Sequence, residues 1–122
     1  MNTEIESIFN TELENGYITF YHGSPATEEI LYGNGLRGGD NTNGGDRIKW
    51  ENPILFLAYN PHVAAQYGQV LKIELPLSFC KKLMQNEDLI ILPVVDGLGD
   101  GCLTIEDGIG DFYIPPEYLS YL

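Results

Sequence analysis

The chain has 122 residues, 43% of them hydrophobic and 20% charged, a composition that predicts one folded domain over residues 1–122 and excludes a disordered chain. Asp and Glu number 18 against 6 Lys and Arg, for a formal net charge of −12. Because nucleic-acid affinity depends on basic residues that displace counterions, this charge argues against a nucleic-acid partner. It suits a basic protein partner, since opposite charges steer encounter, or it serves solubility alone.

The first segment of the chain predicts an amphipathic helix, because Thr3 and Glu6 form a capping-box pattern and Gly16 is a stop signal. The start lacks the basic and apolar regions of a signal peptide, and no stretch reads as a membrane span. We therefore expect a cytoplasmic protein with no membrane partner, in which Cys80 and Cys102 are free thiols in the core. Neither cysteine has the spacing of a metal ligand, so we expect no metal site.

A strand and a short helix follow. Residues 17–22 are a run of β-branched and aromatic residues that predicts a strand, with His22 at its end on the buried face. Ser24 and Pro25 have the pattern of an N-cap and a first-turn proline. They predict a short helix through Leu31.

A change of composition divides the chain in its middle. Residues 37–53 are rich in Gly, Asp and Asn, which predicts a long loop of the kind that often covers a binding site. Residues 54–58 predict a short apolar strand. Asn60 and Pro61 then predict the start of a helix that ends at Gly68.

The remaining segments complete an α+β pattern. The predicted elements are strands at 70–75, 89–95, 102–105 and 112–114, and one or two helical turns at 77–84. The glycine-rich segment 97–101 links strands, so it is interpreted as a turn and not as a phosphate-binding loop. Short strands interrupted by short helices favour an α+β fold with an antiparallel or mixed sheet.

Four short motifs occur in order along the first part of the chain. They are Tyr21-His22-Gly23-Ser24, Gly35-Leu36-Arg37, Ile54-Leu55-Phe56-Leu57-Ala58 and Ala65-Gln66-Tyr67-Gly68. In type, order and spacing this set resembles the catalytic domain of the poly-ADP-ribose polymerase branch of the ADP-ribosyltransferase superfamily, which is known by a His-Tyr-Glu triad. The resemblance implies an ADP-ribosyltransferase-like fold with a small split sheet, and NAD as the substrate.

The resemblance also implies roles for the matching residues. His22 would donate a hydrogen bond to the 2′-hydroxyl of the adenosine ribose, and the main chain of Gly23 would hold the nicotinamide carboxamide. Tyr67 would stack on the nicotinamide ring, and Ser24 would reach the same part of NAD. Phe56 stands where the family has its first tyrosine, so a stacking ring is kept and a hydroxyl is lost. Taken singly, each of these residues has an ordinary structural interpretation; their ordered occurrence favours the site.

The third member of the triad is matched less closely. In the family, a Glu begins the last strand in the pattern Glu-aromatic-x-aliphatic, and the best match here is residues 111–114, with Asp in place of Glu. The resemblance therefore makes Asp111 the catalytic carboxylate, although Asp is one methylene shorter than the family's Glu. Glu106 and Glu117 are the alternatives, and Asp111 is equally well explained as a turn residue.

The implied activity is transfer of a single ADP-ribose group from NAD to a protein, as in a bacterial or phage effector or toxin. Arg37 would meet the pyrophosphate of NAD, with Arg47 as a weaker candidate. An RNA 2′-phosphotransferase is disfavoured by the acidic charge. A non-catalytic NAD-binding or acidic inhibitor protein stays open, because Phe56 and Asp111 depart from the family, so the sequence leaves enzymatic activity undecided.

Overall fold

The computed structural model describes residues 16–33, 35–38, 54–94, 101–108 and 111–122. The predicted N-terminal helix lies outside the described residues, as do most of the predicted glycine loop with Arg47 and most of the 97–101 turn.

Short strands dominate the described residues. The strands are β1 (Tyr17–Ser24), β2 (Leu36–Arg37), β3 (Ile54–Ala58), β4 (Gln69–Pro76), β5 (Leu89–Val94), β6 (Cys102–Asp107), β7 (Tyr113–Ile114) and β8 (Leu119–Tyr121). The helices are α1 (Thr27–Tyr32), α2 (Pro61–Ala64) and α3 (Leu77–Gln85), with short 3-10 helices at Ala65–Tyr67 and Pro116–Tyr118. These bounds confirm the predicted strands and helices of the described segments to within a few residues.

Six of the strands form one sheet in the order β5-β6-β3-β1-β4-β8, and β2 pairs with β7 in a separate sheet. Every pairing among these strands is antiparallel. The predicted α+β class with an antiparallel sheet is therefore confirmed. The N-terminal strand β1 lies inside the sheet, between β3 and β4, so both of its edges have neighbours.

The main core lies on one face of the six-stranded sheet. Alternate residues of β1 and β4 point into it, among them Phe20 and Ile73, which are almost completely buried. Helix α3 covers this face with Cys80 and Leu83. A smaller cluster on the other face is formed by Ala58, Ala64 and Cys102, where α2 packs on the sheet.

Both cysteines are buried and free, as the sequence predicted. Burial raises the pKa of the Cys80 thiol to about 11, although a hydrogen bond with the main chain of Cys80 itself opposes that shift. The thiol therefore stays protonated at neutral pH and behaves as a small apolar side chain.

Two local predictions were wrong. Ser24 is not the N-cap of α1: its Oγ accepts a hydrogen bond from the backbone N–H of Ala26 at 3.0 Å, and Ala26 occupies the N-cap. A serine that bonds two residues ahead forms its own turn, so the helix begins later, at Thr27. Arg37, predicted to begin the loop, lies in β2, and strand β8 was not predicted.

Candidate functional site

Strand β1 leaves its neighbour β3 just before His22. Along β4 it forms eight consecutive pairs, from Tyr17 with Pro76 to Ser24 with Gln69. Along β3 the described residues form one pair, Tyr21 with Ala58. In the described residues no further pair joins β1 to β3 beyond Tyr21, and we call this place between the two strands the split.

The side chain of His22 spans this split. Its Nδ1 lies 2.9 Å from the carbonyl oxygen of Phe56, on β3. Since a carbonyl oxygen only accepts, Nδ1 carries the proton and donates. Burial lowers the pKa of His22 below 6.5, with the hydrogen bond to Phe56 opposing that shift, so the ring is neutral at pH 7. A neutral ring that donates through Nδ1 keeps a lone pair on Nε2, and Nε2 can accept a hydrogen bond from a hydroxyl group.

The main chain of Gly23 faces the same split. In an antiparallel strand, successive residues direct their N–H and C=O groups to opposite neighbours. The N–H of Tyr59 donates to the carbonyl of Gly101 at 2.9 Å, so Tyr59 faces β6 and Phe56 faces β1. Ala58, next to Tyr59, also faces β1, where it pairs with Tyr21. Tyr21 therefore faces β3, and so does Gly23, two residues later. Beyond Tyr21, the N–H and C=O of the buried Gly23 are thus directed toward β3 at a position where the described residues form no strand pair.

A glycine is required at position 23 by packing alone. A Cβ atom there would overlap the carbonyl oxygen of Ala64 and lie 2.7 Å from its carbonyl carbon. It would also lie 3.3 Å from the Cβ of Tyr67. The end of α2 therefore sits directly on Gly23, and the sequence-predicted residues Gly23 and Tyr67 are neighbours in space.

Helix α2 holds Tyr67 at this position. Asn60 caps the helix, because its side-chain oxygen accepts from the N–H of Val63 at 3.1 Å, and Pro61 occupies the first turn. Ala64 anchors the helix to the sheet, and the chain continues as a 3-10 helix to Tyr67. Tyr67 is 52% exposed, so its side chain is accessible to a ligand. The capped helix that the sequence predicted is confirmed.

Phe56 and Glu106 share the face of the sheet on which α2 lies. Phe56 pairs with Thr104 of β6, and Ile54, two residues earlier on β3, pairs with Glu106. Since side chains two residues apart share a face, Glu106 lies diagonal to Phe56, about 7 Å away by strand geometry. Phe56 is 37% exposed, and its ring is accessible on that face.

The other two candidate carboxylates lie elsewhere. Asp111 is exposed and precedes β7, which pairs with β2 in the small sheet and not with the six-stranded sheet. Glu117 is exposed in the 3-10 helix before β8, and β8 is separated from β1 by β4. Of the three, Glu106 alone shares a sheet face with Phe56. The alternation of residues in β6 could have placed Glu106 and Thr104 on one face from the sequence alone. That β3, with Phe56, is the neighbouring strand is known only from the pairing in the structure.

Arg37 and Ser24 have structural partners. The guanidinium carbon of Arg37 lies 4.9 Å from the centre of the Tyr113 ring, a cation–π contact across the pair β2–β7. Arg37 is exposed and can still meet an anion. Ser24 forms the turn to Ala26 described above, at the mouth of the split. Arg47 lies outside the described residues.

Fold and site together define a small α+β protein with a split antiparallel sheet and a cluster of His22, Gly23, Phe56 and Tyr67 beside the split. The chain matches no protein-family model, no curated protein and no solved structure. Among the helices within the described residues, none has the length and apolar run that crossing a membrane requires.

Proposed function

We propose that the chain has an ADP-ribosyltransferase-like fold, binds NAD at the split between β1 and β3, and transfers one ADP-ribose group to a protein. One observation carries this proposal. His22 spans the split to Phe56, while the neighbouring Gly23 contacts the helix that bears Tyr67. Residues that the family motifs single out separately are therefore neighbours at the end of β1, where the β1 main chain has no strand pair with β3.

The nicotinamide half of NAD would lie at Gly23. Its carboxamide has one donor and one acceptor side, which complement a C=O and an N–H of the β1 main chain. The half-exposed ring of Tyr67 would stack on the nicotinamide ring. Phe56 would contribute an apolar surface beside it. A pocket built from one peptide group and two aromatic rings recognises a flat amide-bearing ring.

The neutral ring of His22 would bind a ribose hydroxyl in a defined direction. With Nδ1 bonded to the carbonyl of Phe56, Nε2 accepts from the hydroxyl. Donation from Nε2, as the resemblance implies, would require a second proton, and burial opposes that proton.

The chemistry requires one carboxylate near the nicotinamide ribose. The bond between C1′ and the nicotinamide nitrogen breaks, and the electron pair leaves with nicotinamide, whose ring becomes neutral. A carboxylate stabilises the cationic ribose carbon that remains, and a nucleophile of the acceptor protein bonds to C1′ and gives up its proton. The shared face with Phe56 favours Glu106 for this role over Asp111 and Glu117.

A second candidate function is an NAD-binding or inhibitor protein without catalysis that acts on a basic partner. Two observations favour it. Phe56 lacks the hydroxyl of the family's tyrosine, and the net charge of −12 suits a basic partner. The NAD-binding form of this protein differs from the enzyme only in whether bound NAD is cleaved, whereas an acidic inhibitor acts without NAD.

The experiment is to incubate the purified protein with NAD labelled in the ADP-ribose group, in the presence of a cell lysate, and to measure free nicotinamide and labelled protein. We expect both products with the wild type and, at NAD concentrations below saturation, about fivefold less of both with Tyr67→Ala. Glu106→Gln, Asp111→Asn and Glu117→Gln are then compared. Only the variant of the true carboxylate should lose turnover while it keeps its affinity for NAD.

The outcomes separate the two functions. Binding of NAD without release of nicotinamide would favour the non-catalytic protein. Neither binding nor release at millimolar NAD would contradict the enzyme and the NAD-binding protein and leave the acidic inhibitor. Release of nicotinamide without labelled protein would leave hydrolysis of NAD as the activity.

A further inference from the structure

Strand β5 is apolar on both of its faces. Leu89 and Ile91 point into the main core, whereas Ile90 is 51% exposed and Leu92 is 48% exposed. An antiparallel sheet with one solvated face normally alternates apolar and polar residues, because the outer positions meet water. The outer positions of β5 depart from that alternation, and adjacent exposed apolar side chains of this kind mark surfaces that bind something.

The exposed side chains of β5 continue to the candidate site. Leu92 pairs with Thr104 of β6, and Thr104 pairs with Phe56 of β3. The three side chains therefore follow one another across three strands, on the face of the sheet that also carries α2. We call the surface of Ile90, Leu92 and Phe56 the β5 face.

Carboxylates border the β5 face. Glu106 pairs with Ile90 on one side and lies on the same face of the sheet. Glu87 and Asp88 are exposed in the turn that precedes β5. A second copy of the chain would bring another net charge of −12 to this surface, so electrostatics oppose self-association there and favour a cationic occupant.

We propose that the β5 face is the docking surface for a protein segment with alternating apolar and basic side chains. Apolar side chains of the segment would cover Ile90 and Leu92, and basic ones would meet Glu106, Glu87 and Asp88. The segment would then lie beside Phe56, next to the split. The identification of this segment as part of the ADP-ribose acceptor rests on the proposed function. The binding of the segment to the β5 face does not rest on it.

The test uses a fluorescent synthetic peptide of alternating Lys and Leu as the probe, titrated by anisotropy at low and high salt. We expect saturable binding that weakens with salt, and binding about tenfold weaker for the double variant Ile90→Ser, Leu92→Ser. Tyr32→Ser is the matched control, because Tyr32 is an aromatic residue on α1 with 80% exposure. This control should bind the probe as tightly as the wild type.

Several results would overturn the proposal. One is binding of the probe by the double variant as tight as that by the wild type. Another is binding of a Lys-Ser peptide as tight as that of the Lys-Leu peptide, which would mean that charge alone explains the interaction. A concentration-dependent dimer of the wild type that the double variant abolishes would identify a second copy as the occupant.

The same proteins are titrated with NAD, so that the two proposals can fail separately. The double variant should bind NAD with unchanged affinity, because neither substituted residue belongs to the cluster at the split. Probe binding that depends on Ile90 and Leu92 without any NAD binding would retain the docking surface and contradict the NAD site. NAD binding without such probe binding would do the reverse.

Discussion

Gly23 meets two demands at one position. The carbonyl oxygen of Ala64 occupies the space that a Cβ would need, and the main chain of Gly23 faces the split in the sheet. The first demand holds α2 against the sheet. The second leaves a peptide group for a ligand. Because packing alone explains the glycine, its occurrence in a motif is weaker support for the NAD site than the exposed aromatic ring beside it.

Substitution of Gly23 by Ala should destabilise the fold. The added methyl group meets main-chain atoms of Ala64, which cannot turn away as a side chain would, so we expect a loss of about 2 kcal/mol in the free energy of unfolding. Urea denaturation measures it. Gly16→Ala is the control: its Cβ would meet nothing within 4 Å, and its φ of 86° should cost about 1 kcal/mol. Equal stability of Gly23→Ala and wild type would show that α2 does not rest on Gly23.

Variants of Tyr67 distinguish a stacking contact of its ring from a contact of its hydroxyl group. Loss of the ring in Tyr67→Ala should weaken NAD binding by about 1 kcal/mol, or roughly fivefold, because the stacking contact is removed. Tyr67→Phe keeps the ring and should bind NAD within about twofold of the wild type. Calorimetric titration gives both constants. An Ala variant that binds as tightly as the Phe variant would exclude stacking by Tyr67.

At the scale of elements, α2 links the cap to the site. The Asn60 side chain satisfies the N–H of Val63 at the start of the helix, and Tyr67 follows at its end. A helix of one turn has little stability of its own, so its cap and its contact with the sheet determine where Tyr67 lies.

Asn60→Ala should therefore affect both stability and NAD binding. We expect a loss of about 1 kcal/mol in the free energy of unfolding and weaker NAD binding, while Asn60→Asp retains both, since Asp caps as well as Asn. Ser78→Ala, at an exposed position of α3, is the control and should change neither. The cap would have no role at the site if Asn60→Ala lost stability but bound NAD with full affinity.

Local sequence patterns predicted the elements that carry their own signals. The alternation in β1 and β4, and the Asn60-Pro61 start of α2, depend on neighbours in the chain, and the structure confirms them. Strands β2 and β8 were missed because their residues pair with partners that are distant in the sequence, and those partners make them strands. The prediction of Ser24 as an N-cap was wrong because a serine hydroxyl can serve either as a helix cap or as a turn acceptor.

The site was predictable only where it lies in continuous motifs. His22, Gly23 and Tyr67 could be singled out from the sequence, and the contact of Gly23 with the helix of Tyr67 supports their grouping. The relation of Glu106 to Phe56 could not, because it depends on the register between β3 and β6. Asp111 was singled out by a local pattern, and that pattern does not say which sheet its strand joins.

At the scale of the whole molecule, the acidic charge and the neutral His22 act on stability in different ranges of pH. The many carboxylates begin to protonate below about pH 5. Burial lowers the pKa of His22 below 6.5, so folding excludes a proton that the unfolded chain would bind. The free energy of unfolding should therefore fall as the pH drops from about 6.5 and level off below the folded pKa of His22.

The variant His22→Asn isolates this effect. Its side-chain amide can still donate to the carbonyl of Phe56 but does not titrate. Between pH 6.5 and the lower folded pKa, the wild type should lose stability relative to the variant by at most about 1.4 kcal/mol per pH unit, the limit for one proton. Urea denaturation of both proteins over this range measures the difference, and the carboxylates they share cancel. Parallel curves would show that the ring binds a proton equally well in the folded and the unfolded states.

Binding of NAD at the split between β1 and β3 is tested most directly by mapping the backbone amides that respond to NAD. NAD is titrated into isotopically labelled protein, and amide chemical shifts are followed by nuclear magnetic resonance. We expect saturable shifts at His22, Gly23, Phe56 and Tyr67, with α3 unchanged. Shifts confined to α3 and β8, or no shifts at millimolar NAD, would contradict binding at the split.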